Sequence, residues 1–347
     1  MEKVLIGMSG GVDSSAAAVV LQKAGHDVLG VTLALCEKSD EAAVRDAAAV
    51  CKTLGIEHLV RDYRNEFEAA VVDNSIAEYL AGRTPNPCIL CNEKIKFGLM
   101  AELAKNTGCT AVATGHYAVT RTAADGRVLL CRPLDRRKDQ TYMLCRLNQE
   151  QLKMARFPLA DFTKAQVREL AGEAGLSVAD RADSQDICFV PSGDYAAFIE
   201  ARVGRQPTGE FRDRDGRVLG THQGLIRYTV GQRKGLGIAL GKPAFVLEKN
   251  VGGNYVVLGE EAALFRRRVY IENINYIPFD TLSSPMRVEA KLRYRQTEQP
   301  ATLHPVGGTA AVLEFDEPQR APSPGQTAVF YDGDVVVGGG TIAEEGE

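Results

Sequence analysis

Three of the eight cysteines stand apart from the rest. Cys88 and Cys91 lie in "RTPNPCILCNEKIKF" (residues 83–97), and Cys188 follows acidic residues in "DSQDICFV" (residues 183–190). A thiol acts as nucleophile or metal ligand only as the thiolate, a form favoured by a helix N-terminus or a nearby lysine. Pro85 and Pro87 stiffen the approach to a helix that continues through Ile95, Leu99, Met100 and Leu103, so Cys91 is expected at or near its start, with Lys94 and Lys96 close by. On the residues alone, Cys91 reads either as a reactive thiol or as a buried structural one. Cys188, in the strand-like "ICFV", reads either as a functional thiol or as part of a core strand. Were Cys88, Cys91 and Cys188 to converge, they would leave a fourth position open, which suits an iron–sulfur cluster better than structural zinc. Cys36, Cys51, Cys109, Cys131 and Cys145 read as small buried hydrophobes.

A second chemical feature opens the chain. In "VLIGMSGGVDSSAAAVVLQKAG" (residues 4–25) an apolar run enters a glycine turn and leaves as an alanine-rich helix. Backbone N–H groups in such a turn, followed by a helix N-terminus, bind anions without any side chain. Gly10 and Gly11 permit close backbone approach, and Ser9, Ser14 and Ser15 offer hydroxyls. Asp13 is placed to hold Mg²⁺ against phosphate oxygens. The stretch matches neither the lysine-bearing phosphate loop nor the dinucleotide fingerprint. A chance Gly-Gly turn between strand and helix is the bland alternative.

These residues must be held by alternating strands and helices. "KVLIGM", "DVLGVTLAL", "HLVRDY" and "TAVATGH" read as strands, with helices between them, which predicts an α/β fold with a parallel sheet and ligands at the strands' C-terminal ends. Near Gly204 the pattern changes. "TGEFRDRDGRVLGTHQG" reads as a hairpin around Asp215–Gly216. From about Phe265 the alternation is period-two, with a turn at Asp332–Gly333, which predicts a small antiparallel barrel. The division expected is residues 1–200, 201–264 and 265–347.

The bulk numbers fit a soluble chain of two or three domains: 347 residues, 45% hydrophobic and 25% charged. No apolar run approaches the ~20 residues that span a bilayer, and the N-terminus reads directly into a strand, so a cytoplasmic protein without a disulfide framework is expected. A net charge of −4 speaks against non-specific nucleic-acid binding by the whole surface. A local basic face remains open: "MRVEAKLRYRQ" (residues 286–296) carries four basic residues, one acidic residue and a tyrosine. That segment suits phosphate contact with stacking, or is a solvated strand face. "RRKDQ" and Arg266–Arg268 share the ambiguity.

"SGGVDSS" (residues 9–15) resembles the loop of the PP-loop ATP pyrophosphatases, which split ATP between the α- and β-phosphates and adenylate a substrate oxygen. With Cys91, Cys188, "ATGHY" (residues 113–117), "KDQTYML" (residues 138–144), "GQRKGLG" (residues 231–237) and "PGQTAVFYDGDVVVGGG" near the C-terminus, the chain resembles the bacterial tRNA-specific 2-thiouridylase family over nearly its full length. The resemblance implies ATP as cosubstrate, with Gly7, Met8, Ser9, Gly10, Gly11, Val12, Asp13 and Ser14 on its phosphates and Leu33 and Gly115 on the adenosine side. It implies attack of the wobble uridine's O2 on the α-phosphate, followed by replacement of the adenylated oxygen by sulfur. Cys188 would carry that sulfur as a persulfide with Cys91 as partner, either ending as a Cys91–Cys188 disulfide or releasing hydrosulfide. A cysteine desulfurase or sulfur-relay protein would supply it. The base must leave the anticodon stack. Asn86, Pro87, Cys88 and His116 would border it, and Lys138, Asp139, Gln140, Arg293, Tyr294 and Gln326 would contact tRNA.

Two departures qualify the resemblance. Many relatives have Asp where this chain has Cys88, so a carboxylate role there is lost and a three-thiol cluster is gained as an alternative to persulfide cycling. Many also have a longer Met-Lys-Asn-Trp segment where this chain reads "TLALCEKSD" (residues 32–40), so the transfer is weak across Leu33–Asp40. The competing functions are a PP-loop ligase or amidotransferase on a small substrate, and a non-catalytic tRNA-binding protein.

Overall fold

The computed structural model describes residues 1–36, 40–178 and 187–344. Residues 37–39 of the short-loop segment and Asp183–Asp186 of "DSQDICFV" fall outside this set.

The strand Lys3–Gly7 (β1) lies in a five-stranded parallel sheet. It pairs on one side with Asp27–Ala34 (β2), which pairs with Glu57–Asp62 (β3), and on the other with Ala111–Ala113 (β4), which pairs with Ala155–Arg156. Val4, Leu5 and Ile6 are fully buried, as expected of a central parallel strand covered on both faces. Val4 and Ile6 face the helix Val12–Lys23 (α1) and the helix Lys164–Glu173, through Ala16, Ala17, Val167 and Ala171. Leu5 faces the opposite way, onto Phe97, Met100 and Leu103 of the long helical run that starts at Pro87.

Between β4 and the fifth strand the chain makes an antiparallel hairpin, Val119–Thr122 (β5) and Val128–Cys131 (β6). This hairpin joins the C-terminal sheet: Cys131 pairs with Val335. Six antiparallel strands (Phe265–Tyr276, Met286–Lys291, Gln299–Gly307, Ala310–Arg320, Thr327–Asp332 and Val335–Ile342) close on themselves through pairing of the first with the last. The expected barrel is therefore present, with an extra hairpin. The core follows suit, because Val128, Leu130, Tyr142, Val329, Tyr331 and Val336 pack in the same apolar body as Leu5 and Phe97. Arg132 of the hairpin region stacks 4.0 Å over the Tyr331 ring and donates to Glu298 at 2.9 Å.

The middle portion carries a four-stranded sheet of Gly209–Arg212, Val218–His222, Phe245–Asn250 and Tyr255–Gly259. Its hairpin turn falls at Asp215–Gly216 as expected, and its core is Phe211, Tyr228, Val246, Val256 and Leu258. No helix among the described residues is long and apolar enough to cross a membrane.

Two local expectations change. "MRVEAKLRYRQ" is not one strand: pairing ends at Lys291, and residues 292–296 turn back, with Gln296 N–H bonded to the Arg293 carbonyl at 3.1 Å. Cys188 and Phe189 lie in a turn rather than a core strand.

Candidate functional site

The loop after β1 is shaped by its glycines. Gly10 adopts φ +69° and packs so that a Cβ would meet the Ala43 carbonyl and Asp46 at 3.0 Å, a conformation that favours glycine. Ser14 Oγ accepts the Ser9 N–H at 3.2 Å and donates to the Gly11 carbonyl at 3.1 Å; Ser15 Oγ donates to the same carbonyl at 2.8 Å. The serines thus brace the turn from inside, which leaves backbone N–H groups and the start of α1 as the anion-facing surface. Gly115, at the end of β4, closes the other wall. A Cβ there would lie 2.7 Å from both the Asp13 carbonyl carbon and the Ser14 nitrogen, so only glycine allows this approach.

A lysine from a distant helix reaches the loop's acidic side chain. Lys164 Nζ donates to both carboxylate oxygens of Asp13, at 2.7 and 2.8 Å, and Tyr117 Oη donates to one of them at 2.8 Å. Lys164 opens its helix behind a Thr163–Gln166 capping box, which fixes its direction. Asp13, expected to stand open to Mg²⁺, instead has its charge matched by a cation of the protein.

One cavity of about 640 Å³ gathers the site. It is lined by Gly7, Met8, Ser9, Gly11, Val12, Asp13 and Ser14, by Leu33 of β2, and by Gly115, His116 and Tyr117. Lys96, Arg137, Lys138, Gln140, Tyr294 and Arg295 complete its polar wall, and two thiols open into it: Cys36 and Cys188.

The thiols differ from expectation. Pro87–Cys91 is the first helical segment, so Cys88 rather than Cys91 sits in its first turn. Cys91 is 7% exposed and packs with Phe67, Val71 and Ile95. Burial pushes its thiol up to about 11 despite the attraction of Lys96, so the geometry favours the buried-thiol alternative in this arrangement. Burial also raises Cys88. Cys188 is exposed and is held down to about 7, chiefly by a hydrogen bond from the Cys36 thiol, with the Lys96 charge assisting against desolvation. Cys51, Cys109, Cys131 and Cys145 are buried as expected, whereas Cys36 is half-buried and belongs to the site. Among the described residues no three Cys, His, Asp or Glu side chains come together as a metal-holding group. Cys88, Cys91 and Cys188 thus do not fit an iron–sulfur cluster as they are placed.

The expected RNA-facing residues divide into three groups. Lys138, Gln140, Tyr294 and His116 line the cavity. His116 is bonded through Nδ1 to Thr114 Oγ1 at 2.8 Å, and burial drives its pKa well below 6.5, so the ring is neutral. Asn86 and Pro87 begin the Cys88 helix beside Met143 and Tyr142. The remaining three point inward. Asp139 is 8% exposed and caps Thr141, accepting its N–H at 2.9 Å and its hydroxyl at 2.6 Å. Arg293 donates to the Ala321 carbonyl at 2.8 Å, Ser323 Oγ at 3.1 Å and the Val230 carbonyl at 3.3 Å, tying the barrel to the middle portion. Gln326 holds the Thr84 carbonyl at 2.8 Å. These contacts use the donors that RNA would need, and the neighbouring Arg295 takes the exposed place expected of Arg293. Lys164, Tyr117, Lys96, Arg137, Arg295 and Cys36 were not singled out as site residues from the sequence. Lys96 carried a signal in its spacing from Cys88 and Cys91, Arg137 and Arg295 in the basic segments "RRKDQ" and "MRVEAKLRYRQ", and Tyr117 in "ATGHY"; Lys164 and Cys36 carried none.

A HUP-type nucleotide-binding unit with an anion loop, followed by two β-rich units, is the class this architecture defines. Family models match in the same order: a tRNA methyl transferase HUP domain over residues 2–192, a tRNA methyl transferase PRC-barrel domain over 196–260, and an aminomethyltransferase beta-barrel domain over 266–342. The tRNA-specific 2-thiouridylase MnmA of Clostridioides difficile (strain 630) is 46% identical over 98% of both chains, and that of Moorella thermoacetica is 49% identical over 97% of this chain and 98% of its own. The chain belongs to the tRNA-specific 2-thiouridylase family. A solved 4-thiouridine synthetase–RNA complex with bound ATP matches 54% of this chain and 44% of its own at 20% identity and a TM-score of 0.37, too slight a likeness to bear on function.

Proposed function

We propose that the chain is an ATP-dependent tRNA-uridine 2-sulfurtransferase, working in the cytoplasm with a protein sulfur donor. The observation that carries this reading is the shared cavity. The anion loop of residues 9–15 and the exposed, acidified Cys188 open into one space, with the cations of Lys96, Lys138, Arg137 and Arg295 around it. ATP, entering with Mg²⁺, sets its phosphates on the loop amides, and Leu33 and Gly115 border the adenosine. The uridine O2 attacks the α-phosphate and pyrophosphate leaves, converting a poor leaving oxygen into a good one. Neutral His116 borders the base without adding charge. Cys188 carries the sulfur as a persulfide whose terminal atom attacks C2; the C–S bond forms, AMP departs with the C–O electron pair, and Cys91, the partner that the resemblance implies, attacks the Cys188 Sγ to form a disulfide and leave the S–S electron pair on the transferred sulfur. Lys138, Gln140, Tyr294 and Arg295 meet the tRNA, while Asp139, Arg293 and Gln326 hold the walls. We assign residues 1–200, 201–264 and 265–347 to the three units, with the 119–131 hairpin reaching across to the last.

Incubation with MgATP, a sulfide source and an unmodified tRNA transcript tests the reading. The expected product is 2-thiouridine, seen as retardation in a mercury-containing gel. No retarded band in aerobic or anoxic preparations would refute it, and thiolation by Cys188→Ala at the wild-type rate would remove Cys188 from its role.

A further inference from the structure

Three successive residues after β4 meet three different parts of the site. Gly115 presses on the backbone of Asp13 and Ser14, His116 gives the cavity a neutral ring, and Tyr117, only 2% exposed, joins two walls. Its Oη donates to Asp13 Oδ1 at 2.8 Å, the carboxylate that Lys164 also binds. Its backbone N–H donates to Gln140 Oε1 at 2.9 Å, and its carbonyl accepts the Gln140 N–H at 3.1 Å. A backbone N–H can only donate, so this bond fixes which end of the Gln140 amide is committed to Tyr117 and leaves the Nε2 donors for a ligand. Gln140 lines the same cavity as the anion loop. Its neighbour Asp139 continues the connection into the barrel: Arg132 donates to Asp139 at 3.4 Å and to Glu298 at 2.9 Å, and Lys291 pairs with Glu298 at 3.0 Å. An unbroken run of bonds therefore joins the wall expected to meet RNA to the first turn of α1.

We infer that Tyr117 is a positioning residue that couples RNA held at Gln140 to ATP held at the anion loop, so that each substrate tightens the binding of the other. The inference rests on the sulfurtransferase reading for the identity of the two substrates, but the connection through Tyr117 can be tested with nucleotide alone. Phosphate on the loop favours the arrangement in which the Asp13 carboxylate is fully matched, by the Lys164 ammonium and the Tyr117 hydroxyl together. That arrangement needs Tyr117 seated, and its backbone is seated by the paired bonds to Gln140. An acceptor on the RNA that takes a hydrogen bond from Gln140 Nε2 fixes the same amide in the same place. Both ligands thus favour one arrangement of Tyr117, and a ligand shifts an equilibrium by its differential affinity for the two states. The coupling is reciprocal: the factor by which RNA tightens ATP is the factor by which ATP tightens RNA. Adenylation then proceeds on a loop that is best formed when the RNA wall is occupied, which disfavours spending ATP on water.

The test uses the full chain in two arms, with an ATP analogue carrying a methylene group between the α- and β-phosphates so that no cleavage occurs. In the first arm the magnesium analogue is added without RNA and amide hydrogen exchange is followed by mass spectrometry. Exchange across residues 138–141 should slow in wild type and not in Tyr117→Phe, which deletes only the hydroxyl. In the second arm the affinity for an unmodified tRNA transcript is measured with and without saturating analogue. The analogue should tighten tRNA binding at least ~5-fold in wild type, the lower end of ordinary coupling between sites, and the transcript should tighten the analogue by the same factor. Tyr117→Phe should abolish that factor. Gln140→Glu keeps an acceptor for the Tyr117 N–H but loses the Nε2 donors, so it should retain the protection of residues 138–141 and lose the coupling to tRNA; it also serves as the second variant should Tyr117→Phe fold poorly. The inference is overturned if wild type shows no coupling, or if Tyr117→Phe weakens each substrate alone but keeps the wild-type factor, since the hydroxyl is then only a brace. Protection of residues 138–141 that depends on Tyr117, with no binding of tRNA, supports the connection and refutes the sulfurtransferase reading instead. Thiolated tRNA in the mercury-containing gel with no such protection upholds that reading and overturns the inference.

Discussion

Lys164 Nζ bridges both carboxylate oxygens of Asp13, across 151 residues of sequence, and so fastens the helix Lys164–Glu173 to the first turn of α1. A cation from a distant helix thus reaches the edge of the anion loop. It neutralises an acidic side chain beside a site meant for phosphate, where an unmatched carboxylate would repel the ligand. Lys164→Met should therefore lower the rate of ATP–pyrophosphate exchange by at least ~10-fold, the equivalent of ~1.4 kcal/mol. Lys164→Arg should recover part of it. Equal exchange rates in wild type and Lys164→Met would show that the pair serves only to join the helices.

Gly115→Ala puts a methyl group 2.7 Å from the backbone of Asp13 and Ser14. Neither neighbour is a flexible side chain, so the loop itself must shift. A loss of roughly 1–3 kcal/mol in stability is expected for such overpacking, together with weaker nucleotide binding. Chemical denaturation and nucleotide titration measure the two effects separately.

The thiols should separate by pH. With Cys188 held at about 7 and Cys91 raised to about 11, iodoacetamide should modify Cys188 at a rate that rises through pH 7 and levels off by about pH 8. Cys91 should stay protected throughout that range. Peptide mapping after timed alkylation reads this directly, and preferential labelling of Cys91 would contradict the burial that separates them.

Arg293 and Arg295 should behave oppositely although one residue lies between them. Arg293→Ala removes three internal acceptor contacts and should lower the melting temperature while leaving the salt dependence of tRNA affinity intact. Arg295→Ala should spare stability and reduce the slope of log affinity against log salt by about one. Melting curves and filter binding at several salt concentrations make the comparison.

Lys249 supplies a test of pH linkage. Its Nζ is buried without a hydrogen-bond partner among the described residues, and desolvation lowers its pKa to about 8 from 10.5. Because the unfolded chain binds this proton more tightly, stability should rise as pH increases from about 8 to 10.5. Lys249→Met should remove that rise and stabilise the protein near neutrality by roughly 1–3 kcal/mol. Denaturant melts of both proteins at pH 7 and pH 10 would reveal it.

The parallel sheet, the loop and the barrel were legible because each is written in local periodicity: apolar runs for β1 and β2, alternation for the barrel strands, Asp-Gly at both hairpin turns. The loop's glycines signalled close approach, which Gly10 makes, and Gly115 makes another from the opposite wall. What the sequence did not disclose depends on contacts made across long separations. Nothing near Lys164 points to Asp13, and Cys36 reads as a small buried hydrophobe until the fold brings it to the same cavity as Cys188. Arg293 and Gln326 carry the right chemistry for RNA but face inward, because the turn at residues 292–296 replaces the strand that alternation suggested. Burial likewise bears on the alternatives left open for Cys91, since a thiolate's stability is set by surroundings that spacing does not encode.

The hairpin β5–β6 has a consequence for how the molecule can be divided. Cutting the gene at residue 264, where composition changes, would leave β6 with an unpaired edge and would strip Val128 and Leu130 of Val329, Tyr331 and Val336. Exposed strand edges with apolar faces invite association between copies. The N-terminal unit expressed alone should therefore be poorly soluble, and the barrel is its folding partner as much as a module appended for recognition.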